Sequence, residues 1–241
     1  AGRVYIGKSD FSLRRIVSKQ LKSLGFTVTQ GINTWTTGGP YGGQVRALCV
    51  SGTDVYAGSN SGVFYSANNG VSWSARGLAG LSVSALAVSG TTMFAGGDGV
   101  HRTTDGGLTW TAMNTGLNNT DVRALCVAGT YVFAGTAAGV FRASTSGGSW
   151  TQVGPSALNG DMVFSLTVSG SFVVAGTWHN GVFRTNNYGS TWNKTNTGLT
   201  NLLVRALYKS PTSKHLYAGG DGGVHLSTDN GKTWTVQNNG L

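Results

Sequence analysis

The chain has 241 residues, 39 of them Gly and 3 Pro, and only 10% are charged, against about a quarter in an average soluble domain. All eight acids are Asp, so the Glu/Lys-faced helices of an ordinary helical enzyme are excluded, as is any mechanism that uses Glu as acid, base or ligand. The net charge of +9, from 17 Lys+Arg against 8 acids, attracts polyanions, but it reflects scarce acids and not dense bases.

In chain order, Arg3 to Gly7 predicts a strand. Leu13, Ile16, Val17, Leu21 and Leu24 then recur at helical spacing, with Ser9 or Asp10 placed to cap and Gly25 to stop. Phe26 to Gln30 predicts a second strand. Arg14, Arg15, Lys19 and Lys22 form the one basic cluster and read as a solvated helix face.

From there the chain repeats itself. Trp35, Trp73, Trp110, Trp150, Trp192 and Trp234 fall at spacings of 38, 37, 40, 42 and 42 residues, and only Trp178 is off the beat. Between the beats the same phrases return. Val45-Arg46-Ala47-Leu48-Cys49-Val50 recurs from Val122 and from Val204, and more loosely from Val83 and Val163. Val55-Tyr56-Ala57-Gly58 and Gly62-Val63-Phe64-Tyr65-Ser66 recur likewise, and a fourth phrase starts at each tryptophan. Short runs rich in Val, Phe, Tyr and Thr, bounded by Gly, Asn, Asp or Ser, are antiparallel strands joined by tight turns. Four strands in a period of about 40 residues is one propeller blade. Five full sets run from Val45 to Gln237, so the expected fold is an all-β propeller with five complete four-stranded blades.

The turn before each tryptophan is the most specific motif. Ser227 to Trp234 and Thr103 to Trp110 fit Ser/Thr-x-Asp-x-Gly-x-x-Trp, with Asp229, Gly231 and Trp234, and with Asp105, Gly107 and Trp110. Asn68, Gly70 and Trp73, and Asn187, Gly189 and Trp192, fit with Asn for Asp. The copy at Trp150 is eroded to Gly147 alone. Asp or Asn accepts backbone N–H groups within the turn, Gly takes the positive φ, and the ring anchors the hairpin. This motif is the Asp-box, or BNR repeat, and residues 32–241 resemble Asp-box β-propellers. Relatives of that kind include sialidases, sortilin-type receptors and photosystem II assembly factor-like bacterial proteins. The bacterial group is nearest in its Asn-Thr-Gly-Leu runs, as at Asn114 to Leu117 and Asn196 to Leu199. The resemblance implies a fold more than an activity, because these boxes hold turns in enzymes and binders alike.

Residues 1–31 form a separate strand–helix–strand segment. Asp10 to Val17 with Leu24-Gly25-Phe26 resembles the start of a response-regulator receiver domain, but the phosphoacceptor strand is missing, so phosphotransfer does not carry over. A second reading makes Val4 to Gly7, Phe26 to Gln30 and Thr34 to Thr36 an eroded sixth blade. A five-blade ring with an added N-terminal element and a six-blade ring with one incomplete blade both fit.

Propeller ligands usually bind where the loops joining second to third strands meet the loops between blades. Arg46, Arg123 and Arg205 open the first strands of blades one, three and five on that face, where Ser84 and Phe164 stand in the other two. Three guanidinium groups near one mouth would suit a carboxylate, sulfate or phosphate, although repeats also copy residues without use. Trp178-His179-Asn180 replaces small residues in one loop, and Tyr41 is a weaker aromatic on the same face; such rings stack on sugars. The expected role is a binding or scaffold module for a protein or acidic glycan, the alternatives being a ligand-free scaffold, natural or engineered, and a degenerate sialidase-like hydrolase. A sialidase-like mechanism lacks its Glu, and two facing carboxyls are not evident, with Asp121 and Asp161 the spare acids. No cofactor, metal cluster or specific nucleic-acid platform is expected. Cys49 and Cys126 occupy equivalent repeat positions and are expected as free thiols. No apolar run is long enough to cross a membrane, and the composition leans towards an extracytoplasmic bacterial protein.

Overall fold

The structure, a computed structural model, describes residues 44–241. The readings made for the N-terminal segment, for the incomplete sixth blade and for Tyr41 lie outside the described residues.

Five four-stranded antiparallel meanders follow one another, as the phrases predict. The first blade is β1 (Val45–Ser51), β2 (Asp54–Ser59), β3 (Gly62–Ser66) and β4 (Ser74–Ala75). The second is β5 (Val83–Ser89), β6 (Thr92–Gly97), β7 (Gly99–Thr103) and β8 (Thr111–Ala112). The third is β9 (Val122–Ala128), β10 (Tyr131–Thr136), β11 (Gly139–Ser144) and β12 (Thr151–Gln152). The fourth is β13 (Val163–Ser169), β14 (Phe172–Thr177), β15 (Val182–Thr185) and β16 (Asn193–Lys194). The fifth is β17 (Val204–Lys209), β18 (Leu216–Gly220), β19 (Gly223–Ser227) and β20 (Thr235–Val236). Each fourth strand is only two residues long and starts just after its tryptophan. The first strands of consecutive blades pack side by side, β1 on β5, β5 on β9, β9 on β13 and β13 on β17.

Alternation along each first strand supplies both neighbours. In β9, Leu125 joins a core shared with Phe94 and Val100 of the second blade, while Ala124 and Cys126 join one shared with Val163 and Leu166 of the fourth. Cys49 and Cys126 are free, and burial pushes both thiols up to about 12. The glycine ending the Ala-Gly phrase makes the close approach possible. A Cβ on Gly135 would lie 2.7 Å from Val163 Cγ1, and one on Gly58 would lie 2.6 Å from Val83 Cγ1. Each of these valines is therefore a knob seated over the glycine of the blade before it. Gly219, the counterpart in the fifth blade, would meet nothing within 4 Å. The opposite end is also uncovered: Leu48 is 51% exposed, where its counterpart Leu125 is 8% exposed. Among the described residues, the first and fifth blades leave their outward faces open.

The tryptophans do more than anchor their own hairpins. Trp110, Trp150 and Trp234 donate Nε1–H to the carbonyls of Arg76, Met113 and Thr195, each in the blade before. Trp192 has no such partner, and its Nε1 is buried and unbonded. Arginines tie the other way: Arg76 Nε donates to Gly106 O, Arg102 Nε to Thr145 O, Arg142 to Tyr188 O, and Arg184 to Asp229 O and Asn230 O. Every one of these carbonyls belongs to the third-to-fourth-strand turn of the next blade.

Within those turns the carboxylate does what its spacing requires. Asp229 Oδ1 accepts from Lys232 N and Thr233 N at 3.0 and 2.9 Å, and Asn68 Oδ1 accepts from Ser72 N at 2.9 Å. Burial works against the Asp229 charge, but the Thr233 hydroxyl and amide, then Ser227 and Lys232, prevail and hold it at about 2. The hydroxyls of Thr103 and Thr109 hold Asp105 well below the usual carboxylate range. A depressed folded pKa contributes stability that is present above the unfolded value and is lost as pH falls towards the folded one. Thermal unfolding of the wild type is therefore expected to shift to lower temperature between about pH 4 and pH 2. Asp105→Asn/Asp229→Asn should flatten that shift while retaining the turns, as Asn68 and Asn187 already do. An unchanged acid profile in the double variant would refute this.

Blade three departs from the pattern. Its positive-φ pair falls on Gly147 and Gly148 (φ 113° and 110°), whereas the fifth blade has Asn230 and Gly231 (58° and 78°). With no Asp or Asn to gather the amides, the turn opens, and Thr145 bonds instead to Thr130 O.

Candidate functional site

The first strand of each blade opens with a bulge. In β9 the pairing with β10 skips one residue between Val122 and Ala124, and in β13, β17 and β1 the skips span Val163/Ser165, Val204/Ala206 and Val45/Ala47. With the same skip between Val83 and Ala85 in β5, the extra residues are Arg46, Ser84, Arg123, Phe164 and Arg205. A bulged residue is released from the ladder, and its side chain is re-aimed. This local geometry turns the repeated sequence position into a set of side chains at the mouth, at the start of β1, β5, β9, β13 and β17.

Three of the five bulge residues converge. The Arg123 and Arg205 guanidinium carbons lie 5.6 and 5.7 Å from the Phe164 ring centroid, on either neighbouring blade. Trp178 stacks on Phe164 with centroids 5.3 Å apart and planes 29° from parallel, and Arg205 also lies 5.9 Å from the Trp178 ring. Such cation–π contacts are worth roughly 0.5–1 kcal/mol at exposed sites. Trp178 remains 37% exposed. Arg46 bonds to Asn60 Oδ1 of its own blade at 2.8 Å and has no recorded contact with the other two.

The charge at this mouth is partly matched. Arg123 pairs with Asp121 at 2.7 Å, and Arg205 faces Asp221 at 3.4 Å. Both pairs are open to solvent, so each contributes roughly 0–1 kcal/mol and leaves N–H groups for a ligand.

Asp161 is not a spare acid. Its side chain is 3% exposed and it accepts from Met162 N, His179 N, Asn180 N and Asn180 Nδ2. His179 Nδ1 lies 3.0 Å from its Oδ1. Burial alone would raise the carboxyl, but the donors Asn180, Thr177 and His179 outweigh it and keep its pKa below the ordinary value. Asp161 thus fixes the loop that carries Trp178. Beside it, a cleft of about 200 Å³ separates the loop 155–161 from His179 and Asn180.

Sequence reasoning identified Arg123, Arg205, Trp178 and His179, which the fold brings to one place. It passed over Phe164, noted only as an exception to Arg, and Asp161, set aside as spare. The departure of both from the repeat was the available signal. No group of three His, Cys, Asp or Glu side chains suited to a metal occurs among the described residues.

Five meanders with side-by-side first strands define a β-propeller. No family model matches the chain, and no curated protein matches it. Solved structures do. It is similar to YCF48 bound to a D1 peptide, at a TM-score of 0.63 and 17% identity over 82% of this chain and 69% of that one. It is similar to an ancestral GH74 enzyme, at 0.67 and 23% over 83% of this chain and 32% of that one. It is also similar to the WD40 propeller domain of Doa1, at 0.54 and 15% over 76% and 64% of the two chains. At these identities the likeness establishes the propeller fold, and fold does not fix function. No helix among the described residues is long and apolar enough to cross a membrane.

Proposed function

We propose that this protein is a non-catalytic binding module of the Asp-box propeller type, and that it recognises a protein or glycan partner at the mouth of blades three to five. The observation that carries this reading is the convergence of Arg123, Phe164, Arg205 and Trp178 from three consecutive blades into one partly exposed shelf. An aromatic surface rimmed by guanidinium groups offers stacking together with donors for carbonyl or carboxylate oxygens. Three acids at this mouth are already engaged, Asp161 in its loop and Asp121 and Asp221 by arginines, which supports binding over the two free carboxyls that glycoside hydrolysis uses. Peptide binding by a YCF48 propeller makes a polypeptide partner as reasonable as a sugar.

The test is a combined peptide and glycan array at two salt concentrations, with wild type and an Arg205→Ala/Trp178→Ala variant. Retained partners are expected to bind the variant at least about tenfold more weakly, the loss of two anchors that a partner would cover. A partner held equally by both proteins, or turnover of any glycoside, would overturn the reading.

A further inference from the structure

Two loops depart from the repeat and meet. Blade three leaves its fourth strand by Pro155-Ser156-Ala157-Leu158-Asn159-Gly160-Asp161, where the next two tryptophans are followed by Asn196 and Asn238. Blade four carries Trp178-His179-Asn180, where others have small residues. Repeats inherit residues by copying, so positions that break the copy are where selection for a ligand would show. These two breaks lie 18 residues apart and are joined by Asp161. Between them lies the cleft of about 200 Å³, and His179 on its wall has its ring 5.8 Å from that of Trp178.

The cleft offers neutral hydrogen-bonding groups. Asn159 turns inward, donating Nδ2–H to Gly154 O at 2.9 Å with its Oδ1 buried, so the accessible groups stand on the rim. The His179 side chain is 73% exposed with only Nδ1 engaged by Asp161, which leaves Nε2 free for a ligand. Ser156 is exposed on the same rim. The Asp161 charge is satisfied internally, and Lys194 Nζ donates to Asn180 Oδ1 at 3.3 Å. A sugar ring matches such a site. Its C–H face lies on an indole, and its hydroxyls both donate and accept along a rim of hydroxyl, amide and imidazole groups.

We infer that the cleft between residues 155–161 and Trp178–Asn180 binds a neutral oligosaccharide, one ring against Trp178 and its hydroxyls on Ser156 and His179. This rests on the reading of the mouth as a binding face and specifies its ligand.

The experiment is direct binding of uncharged hexose and N-acetylhexosamine oligomers at low and high salt, with a peptide library and acidic glycans in parallel. Wild type, Trp178→Ala, His179→Ala and Arg205→Ala are compared after their thermal unfolding has been checked. The expected result is binding of a neutral oligomer that changes less than about twofold with salt, since no counterion is displaced. It should weaken at least about tenfold in Trp178→Ala and about threefold in His179→Ala. Neutral oligomers that fail while a peptide binds through Trp178 and Arg205 would sink the sugar and leave the mouth standing as a binding face. Binding of acidic glycans alone, falling with salt and lost in Arg205→Ala, would also overturn it. Silence from every ligand would remove both readings together.

Discussion

Trp150→Ala is expected to destabilise the protein by about 3–5 kcal/mol, the usual range for removing a buried aromatic ring. The ring is 3% exposed, belongs to the core shared with the second blade, and donates Nε1–H to Met113 O at 2.6 Å. Its own amide also bonds to Thr115 O, so the residue fastens the third blade to the second at two points. Urea unfolding measures the loss as a lowered midpoint at constant slope. Phenylalanine separates the two contributions. Trp150→Phe gives up a good hydrogen bond and part of the ring, and should recover much of the loss. Trp192→Phe breaks no such bond, because Trp192 Nε1 has none, and should cost less than Trp150→Phe by about 0.5–1.5 kcal/mol. Equal costs at the two positions would mean that the interblade bond contributes nothing.

Gly135→Ala and Gly219→Ala should part company. Neither glycine has a positive φ, so the difference between them is steric. The new methyl on Gly135 would sit 2.7 Å from Val163 Cγ1, with the Val163 carbonyl oxygen 3.2 Å away, inside a closed contact between blades. The valine must shift or the strands must separate, which costs about 1–3 kcal/mol. On Gly219 the methyl meets nothing within 4 Å among the described residues, and the smaller backbone entropy lost by alanine on folding then favours the variant by a few tenths of a kcal/mol, up to about 1. Side-by-side thermal melts decide. A large loss at Gly219 would show that another surface covers the fifth blade in solution.

Legibility differed by level. The strands, their order and the turn chemistry were written in the sequence because every blade solves the same local problem with the same residues. Val45, Val83, Val122, Val163 and Val204 could be aligned by eye. The reason for that valine could not, because it lies in the glycine of another blade 25 to 28 residues earlier, as with Val83 over Gly58 and Val163 over Gly135. The tryptophans were legible as anchors of their own turns, whereas their bonds to Met113 and Thr195 depend on how blades stack. At the mouth, Arg123, Arg205 and Trp178 could be nominated from position. Their gathering around Phe164 could not, since it follows from bulges that periodicity does not reveal. Asp161 was misread as idle because its partners His179 and Asn180 come from the far end of a hairpin.

The eroded turn of blade three shows what this pattern of ties permits. Blades two and four hold the third from both sides, through Trp150 on Met113, Val163 on Gly135 and Arg142 on Tyr188. A blade braced in this way retains its place after losing the carboxylate that shaped its own turn. Mutational drift is therefore tolerated most in the middle of the array, where support is redundant. The terminal blades have one described neighbour each and must keep their internal bonds, as Ser227, Asp229 and Thr233 do in the fifth. The array can thus diversify at its third blade, which supplies Arg123 to one edge of the mouth.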